Sequence, residues 1–300
     1  MADETLRRVE LTHRYADLED VKLHYVEAGE GPLVLLLHGF PQFWYQWRHQ
    51  IPALVEAGFR VVAPDMRGYN LSGKPPGVRA YRVELLARDV ERLIQACGEQ
   101  AATVVGHDWG AIAAWLAAMR HPGCVERLVI LNVPHPARSL DGLLSPGQLL
   151  RSSYVFFFQI PRLPEEFIRA GDFALLRSTL RRDPVRPGTF TAGDIERYVE
   201  AIAQPGALTA TLNYYRALLR YPWETQALLK RIEAPVLVIW GERDRFLSRR
   251  LAEPPRLWVP NLLSVERLQD ASHWVAEDRP GEVNTLLLAF LRSPLSTLRR

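Results

Sequence analysis

Apolar residues in this chain fall in short, nearly continuous runs separated by longer amphipathic stretches. Leu33-Val34-Leu35-Leu36-Leu37-His38, Phe59 to Pro64, Val125 to Asn132 and Pro235 to Gly241 are almost unbroken. Such runs suit strands buried on both faces of a parallel sheet. Val21 to Glu27 alternates apolar and polar positions like a half-exposed strand, and Leu263 to Leu268 reads as the last strand. Helices are predicted between them at Trp47–Ala57, at Val83–Cys97 with Gly98 as its C-terminal cap, after Gly110, and at Glu282–Leu291. Strand and helix alternate, the signature of a doubly wound α/β sheet.

Between about Pro134 and Lys230 the strand-like runs vanish. Aromatic and apolar residues take helical spacings, punctuated by Pro161, Pro164, Pro184, Pro187 and Pro205. The expected organisation is an α/β core made of residues 1–136 and 229–300, with a helical cap inserted at 137–228. No internal repeat or low-complexity segment interrupts it.

Composition narrows the classes. Three hundred residues, 48% hydrophobic, can bury a full core. The first residues are charged and lack the apolar core of a secretory signal, and no apolar run approaches the roughly 20 residues of a membrane span. A cytoplasmic protein with no membrane partner is expected. The net charge is +3, and the only basic cluster is the tail Leu298-Arg299-Arg300, so nucleic acid is not expected as a partner. Cys97 and Cys124 are too few for a disulfide framework and lack metal-ligand spacing or a neighbouring cation, so no metal site is expected. Nearly all basic residues are Arg, with lysine only at 22, 74 and 230, and Pro reaches 22. Genome composition and a stability demand explain that bias equally well.

Chemistry enters at Val104-Val105-Gly106-His107-Asp108-Trp109-Gly110, an apolar strand ending in Gly-x-Asp-x-Gly and turning at once into a small-residue helix. This is the strand-turn-helix setting of a nucleophile elbow, with aspartate as the nucleophile; the plainer alternative is Asp108 as a helix N-cap. A carboxylate nucleophile needs a later acid and a later histidine to activate water. Asp244 and His273 stand in that order, each after a predicted strand, where loops of a parallel sheet converge on one crevice. Asn132, at the end of the preceding strand, offers no alternative acid.

At these residues the chain resembles the α/β-hydrolase fold and, within it, the cap-bearing soluble epoxide hydrolases. His38-Gly39-Phe40-Pro41 is similar to their oxyanion loop, Gly106 to Gly110 to their nucleophile motif, and Asp65-Met66-Arg67-Gly68-Tyr69 to a structural loop. The resemblance implies backbone donors at Phe40 and Trp109 forming an oxyanion hole and a cis Phe40-Pro41 bond. In the cap, Tyr154-Val155-Phe156-Phe157-Phe158-Gln159 and Asn213-Tyr214-Tyr215-Arg216 resemble the segments that hold a tyrosine pair over the nucleophile. Tyr154 and Tyr215 match; Tyr214 is the alternative if the register slips by one, and cap-core packing is the bland reading of all three.

What this implies is cofactor-independent opening of a small apolar epoxide to a vicinal diol. Asp108 forms an ester, which water activated by His273 and Asp244 cleaves, and phenols with ordinary pKa near 10 assist the emerging alkoxide. Phe158, Tyr214 and Trp47, with Phe156 and Phe157, are expected to give an aromatic substrate pocket. The chief alternative is a haloalkane dehalogenase using the same aspartate, with Trp109 and Trp223 as halide donors. A non-catalytic ligand-binding member of the fold is more remote. Trp274, Arg67 and His135 are read as loop-shaping residues, and His13 and His24 as exposed on early strands. Nothing in the pattern distinguishes a monomer from a homodimer.

Overall fold

The computed structural model describes residue 6 and residues 9–143 and 145–295, with the side chains of 139–141, 143 and 224–226 outside the description. The basic tail and most of the first eight residues thus lie outside the described residues. Eight strands, β1 Thr12–Asp17, β2 Lys22–Ala28, β3 Leu33–Leu37, β4 Arg60–Pro64, β5 Ala102–His107, β6 Val125–Leu131, β7 Val236–Gly241 and β8 Leu262–Leu268, form one sheet in the order 1-2-4-3-5-6-7-8. β1 and β2 pair antiparallel, as do β2 and β4; every pairing from β4 through β3 to β8 is parallel. The chain is thus α/β, a mostly parallel sheet wound on both faces.

Helices α1 Gln50–Glu56, α2 Val83–Ala96, α3 Trp109–Arg120, α4 Pro136–Leu143, α5 Pro146–Arg151, α6 Ser153–Phe157, α7 Leu163–Arg182, α8 Ala192–Ala203, α9 Ala207–Arg220, α10 Pro222–Ala227, α11 Val275–Asp278 and α12 Pro280–Arg292 complete the chain. The central strands are sheathed on both sides: β3, β5 and β7 are buried at every position. Along α2, Val83, Leu86, Ala87, Val90, Leu93 and Ile94 face inward, and burial of each large side chain stabilises by roughly 1.5–3 kcal/mol. Helices α4 to α10 are the stretch between β6 and β7. Within α7 the backbone breaks: Ala170 is extended and Gly171, Asp172 and Phe173 are left-handed, so two helical pieces meet at a kink.

One expectation fails at the edge. His24 is fully buried, with Nδ1 donating to Asp65 Oδ2 at 2.7 Å, and only His13 of the pair is exposed. The loop after β4 folds back over β2, so the alternating strand is covered on the side that the pattern left to solvent. Both cysteines are buried and unpaired, and burial pushes their thiols up to about 11 and about 12. No helix among the described residues is long and apolar enough to cross a membrane, and those residues hold no metal-binding group of His, Cys, Asp and Glu.

Candidate active site

Asp108 sits at the end of β5 with φ 50° and ψ −122°, a conformation that L residues rarely adopt. The neighbouring glycines make that turn possible. A Cβ on Gly106 would overlap the backbone of Gly110 and Ala111, one on Gly110 would overlap the carbonyls of Leu37 and His38, and one on Gly39 would overlap the Asp108 side chain. The turn is therefore clamped between β3 and α3. Asp108 does not cap the helix with its side chain; its Oδ1 accepts instead from the backbone N–H of Phe40 at 2.7 Å. The Phe40-Pro41 bond is cis.

His273 follows β8. Its Nδ1 donates to Asp244 Oδ2 at 2.8 Å, and its Nε2 lies 3.6 Å from Asp108 Oδ2, an ion-pair distance longer than a hydrogen bond. Asp244, at the end of β7, is held on every side. Oδ1 accepts from the N–H groups of Phe246 (2.7 Å) and Leu247 (2.9 Å), and Oδ2 also accepts from Asn132 Nδ2 at 2.8 Å. Asn132 in turn donates to Ser272 O and accepts from Gly241 N, so one buried amide ties the ends of β6, β7 and β8 together.

Electrostatics follow from burial and charge. Burial alone would lower the His273 pKa, but the Asp244 carboxylate and then Asp108 raise it to about 10. Burial opposes ionisation of Asp108, yet the imidazolium of His273, with His107 and the Phe40 N–H, holds it below the usual carboxylate range. His107 and His38 are driven down to about 4, chiefly by burial, and stay neutral. Their roles are structural: His107 Nε2 donates to the His273 carbonyl at 2.8 Å, and His38 Nε2 accepts from Met66 N.

A cavity of about 220 Å³ opens above Asp108 and His273, walled by Phe40, Tyr154, Phe158, Tyr215, Phe246 and Trp274, with Ile168 and Leu176 of α7 on its far side. Tyr154 and Tyr215 lie with ring centroids 5.8 Å apart. Burial, and then the charge of Asp108, raise both phenols well above the ordinary value, so both are hydroxyl donors at any working pH. Tyr214 turns the other way: it is fully buried and donates to Arg67 O at 2.7 Å. Trp47 is likewise buried, and neither it nor Tyr214 lines the cavity; Phe156 faces solvent at 51% exposure. Trp109 meets Tyr215 edge-on at 4.9 Å.

The motifs did not reveal the polar mesh around these groups. Glu277 Oε1 accepts from Arg48 Nη1 (2.6 Å), Tyr198 Oη (2.9 Å) and Gln42 Nε2 (3.1 Å), joining the oxyanion loop, α11 and α8. Asp183 at the end of α7 accepts from Trp274 Nε1 at 2.9 Å, and Asp278 accepts from the backbone and hydroxyl of Ser272. The flanks of His273 are thus fixed on both sides. Only Asn132 carries a sequence signal, its place at a strand end, which marks a position for an acid and not an amide tether.

Residues 32–280 match the model of the alpha/beta hydrolase fold family. The AB hydrolase superfamily protein YfhM of Bacillus subtilis is 43% identical over 285 residues, covering 93% of this chain and 98% of that protein. Epoxide hydrolase 4 of Mus musculus is 38% identical, covering 94% and 80%. A mutant of an epoxide hydrolase from Bacillus megaterium, complexed with its product (R)-3-[1]naphthyloxy-propane-1,2-diol, superposes with a TM-score of 0.86 at 35% identity, covering 93% and 100%. The chain belongs to the α/β-hydrolase fold family and, within it, to the epoxide hydrolases.

Proposed function

We propose that this protein hydrolyses epoxides to vicinal diols without a cofactor, with Asp108 as nucleophile, His273 as base and Asp244 as its acid partner. Residues 137–228 act as the cap over a core of 1–136 and 229–300. An Asp108 oxygen attacks an epoxide carbon while Tyr154 and Tyr215 donate to the epoxide oxygen, which leaves carbon and takes a proton. The product of this step is an ester on Asp108 and a neighbouring alcohol. Esterification also removes the Asp108 charge that favours the imidazolium, so the His273 proton passes to the phenol that protonated the epoxide oxygen and His273 becomes the neutral base the second step needs. It takes a proton from water, the hydroxide attacks the ester carbonyl, and the N–H groups of Phe40 and Trp109 hold the oxyanion. Collapse releases the diol and restores the carboxylate.

The observation that carries this reading is the pair of protonated phenols lining the same cavity as Asp108. A halide leaves without a proton, whereas an alkoxide needs donors. Neither tryptophan that the dehalogenase alternative would use stands as a free halide donor: the Trp109 side chain hydrogen-bonds Tyr215, and Trp223 is 63% exposed and outside the cavity wall. Phe158 contributes to the apolar wall that takes the substrate's hydrocarbon part. Unpaired buried thiols fit a reducing compartment such as the cytoplasm.

The test is the His273→Gln variant incubated with styrene oxide and, separately, with 1-chlorobutane. Intact-protein and peptide mass spectrometry are expected to find the epoxide-derived ester on Asp108, and to find it much reduced in a variant also carrying Tyr154→Phe and Tyr215→Phe. Adduct from the chloroalkane alone would overturn the reading in favour of dehalogenation.

A further inference from the structure

Large apolar side chains that face solvent gather in one region of the cap. Leu150 of α5, Phe156 of α6, Ile160 in the turn that follows, and Leu163, Phe167 and Leu175 of α7 are all exposed, Leu150 at 77%. Leu163 and Phe167 stand about one turn apart on the first piece of α7 and so share a side. Phe157 meets Phe167 edge-on at 5.7 Å, which ties α6 to that side. Single exposed apolar residues are ordinary on a protein surface, but a clustered set marks a site of contact.

Charge identifies what covers it. From Leu149 to Asp183 there are six arginines and four carboxylates, and three of the four acids are occupied: Glu165 by Arg216, Asp172 by Arg177, and Asp183 by Trp274 and Arg245. Arg151, Arg162, Arg169, Arg181 and Arg182 are exposed and have no carboxylate partner among the described residues, with Glu166 as the remaining acid. Apolar side chains set among unneutralised cations match an anionic bilayer, whose acyl chains take the first and whose phosphates take the second. A second copy of this chain would bring the same cations against one another. The active-site cavity also reaches this region. Leu175, 46% exposed, is one of its walls, and Thr179 joins it to an outer concavity lined by Arg151 and Arg182.

We propose that this face of the cap seats on the surface of anionic phospholipid bilayers, with Leu150, Phe156, Ile160, Leu163 and Phe167 among the acyl chains and the five arginines at the phosphates. The contact is with one leaflet, and the cavity mouth lies beside it. The expectation of no membrane partner rests on the length of apolar runs, and a face assembled from side chains of separate helices leaves no such run in the sequence. Seating involves no bond making, so it stands independently of the epoxide-opening reading.

The test is co-sedimentation of the full chain with sucrose-loaded phosphatidylcholine vesicles, with and without about 30 mol% phosphatidylglycerol, at low ionic strength and in about 0.5 M NaCl. Affinity is expected to be roughly tenfold or more higher with phosphatidylglycerol, and to fall severalfold in salt. Leu150→Ser combined with Phe167→Ser is expected to weaken binding about tenfold on both kinds of vesicle, and Arg162→Glu combined with Arg169→Glu to abolish the preference for phosphatidylglycerol. Both double variants are expected to keep the wild-type circular dichroism and urea midpoint, since all four side chains are exposed. Absence of wild-type binding to phosphatidylglycerol vesicles, or equal binding by wild type and the Leu150→Ser, Phe167→Ser variant, would overturn the proposal. A wild-type dimer that the same variant converts to monomer, read by light scattering, would overturn it too, by assigning the face to a second copy.

Discussion

Asn132 donates to Asp244 at 2.8 Å, onto the same carboxylate oxygen that receives the His273 ring. The amide therefore aims the acid that aims the base. Asn132→Ala leaves Asp244 one donor short and unties it from Ser272 and Gly241. Hydrogen bonds to charged groups contribute roughly 1.5–3 kcal/mol, so kcat is expected to fall about tenfold to a hundredfold with KM little changed. Steady-state kinetics with styrene oxide checks this; wild-type kcat in the variant would show that the loop positions Asp244 unaided.

The protonation of His273 depends on Asp108. With both carboxylates ionised, the ring titrates at about 10, above its ordinary 6.5. A folded-state pKa raised in this way gives stability that is full below pH 6.5 and is lost as pH rises through 10. Asp108→Asn, which imitates the neutral ester, removes one of the two charges. Imidazole NMR is expected to place His273 near pH 10 in the wild type and roughly one unit or more lower in the variant, with a shallower loss of stability over the same window. Identical titration midpoints would refute the coupling.

Gly39 has no room for a methyl group beside the nucleophile. Gly39→Ala must displace either the oxyanion loop or Asp108, and forced overpacking costs about 1–3 kcal/mol. The expected outcome is a lower urea midpoint together with a loss of ester formation, read by quenched-flow mass spectrometry. A variant that folds normally and alkylates at the wild-type rate would show that the turn is looser than its contacts indicate.

The Arg48–Glu277 pair, 2.6 Å apart and almost wholly inaccessible, lies where the oxyanion loop, α11 and α8 meet. Removing Arg48 strands the Glu277 charge, at about 3–5 kcal/mol, whereas without Glu277 the guanidinium still meets Asp194 at 3.4 Å. Arg48→Met is expected to lose that much in urea unfolding and Glu277→Leu less, and the double variant to recover part of the Arg48→Met loss. Gln42 and Tyr198 share a hydrogen bond of 3.0 Å that involves neither charged group. Additive losses would show that the two charges do not depend on each other.

Much of the framework was legible because it is written in local patterns. Continuous apolar runs marked β3 to β7, and Gly-x-Asp-x-Gly marked the turn whose glycines have no space for a side chain. What escaped has physical reasons. β1 presents one buried residue in six and gives no apolar signal. His24 lies on an alternating strand, and only the fold of a distant loop covers it. Trp47, Tyr214 and Phe156 are aromatic like Phe158, but sequence does not say which way a ring faces; one backbone carbonyl, Arg67 O, is enough to turn Tyr214 away. The Gln42–Arg48–Tyr198–Glu277 mesh joins residues more than two hundred positions apart, with no spacing rule to reveal it.

The break in α7 separates two walls of the cavity. Ile168 hangs from the piece before Ala170–Phe173, whereas Leu176 and Thr179 hang from the piece after it. Asp108, Asp244 and His273 follow sheet strands, and the second piece of α7 meets the flank of His273 through the Asp183–Trp274 hydrogen bond. Residue changes in the first piece of α7 are therefore expected to resize the chamber with less effect on the reacting groups than changes in the second, so substrate girth and reactivity can evolve along partly separate tracks in this chain.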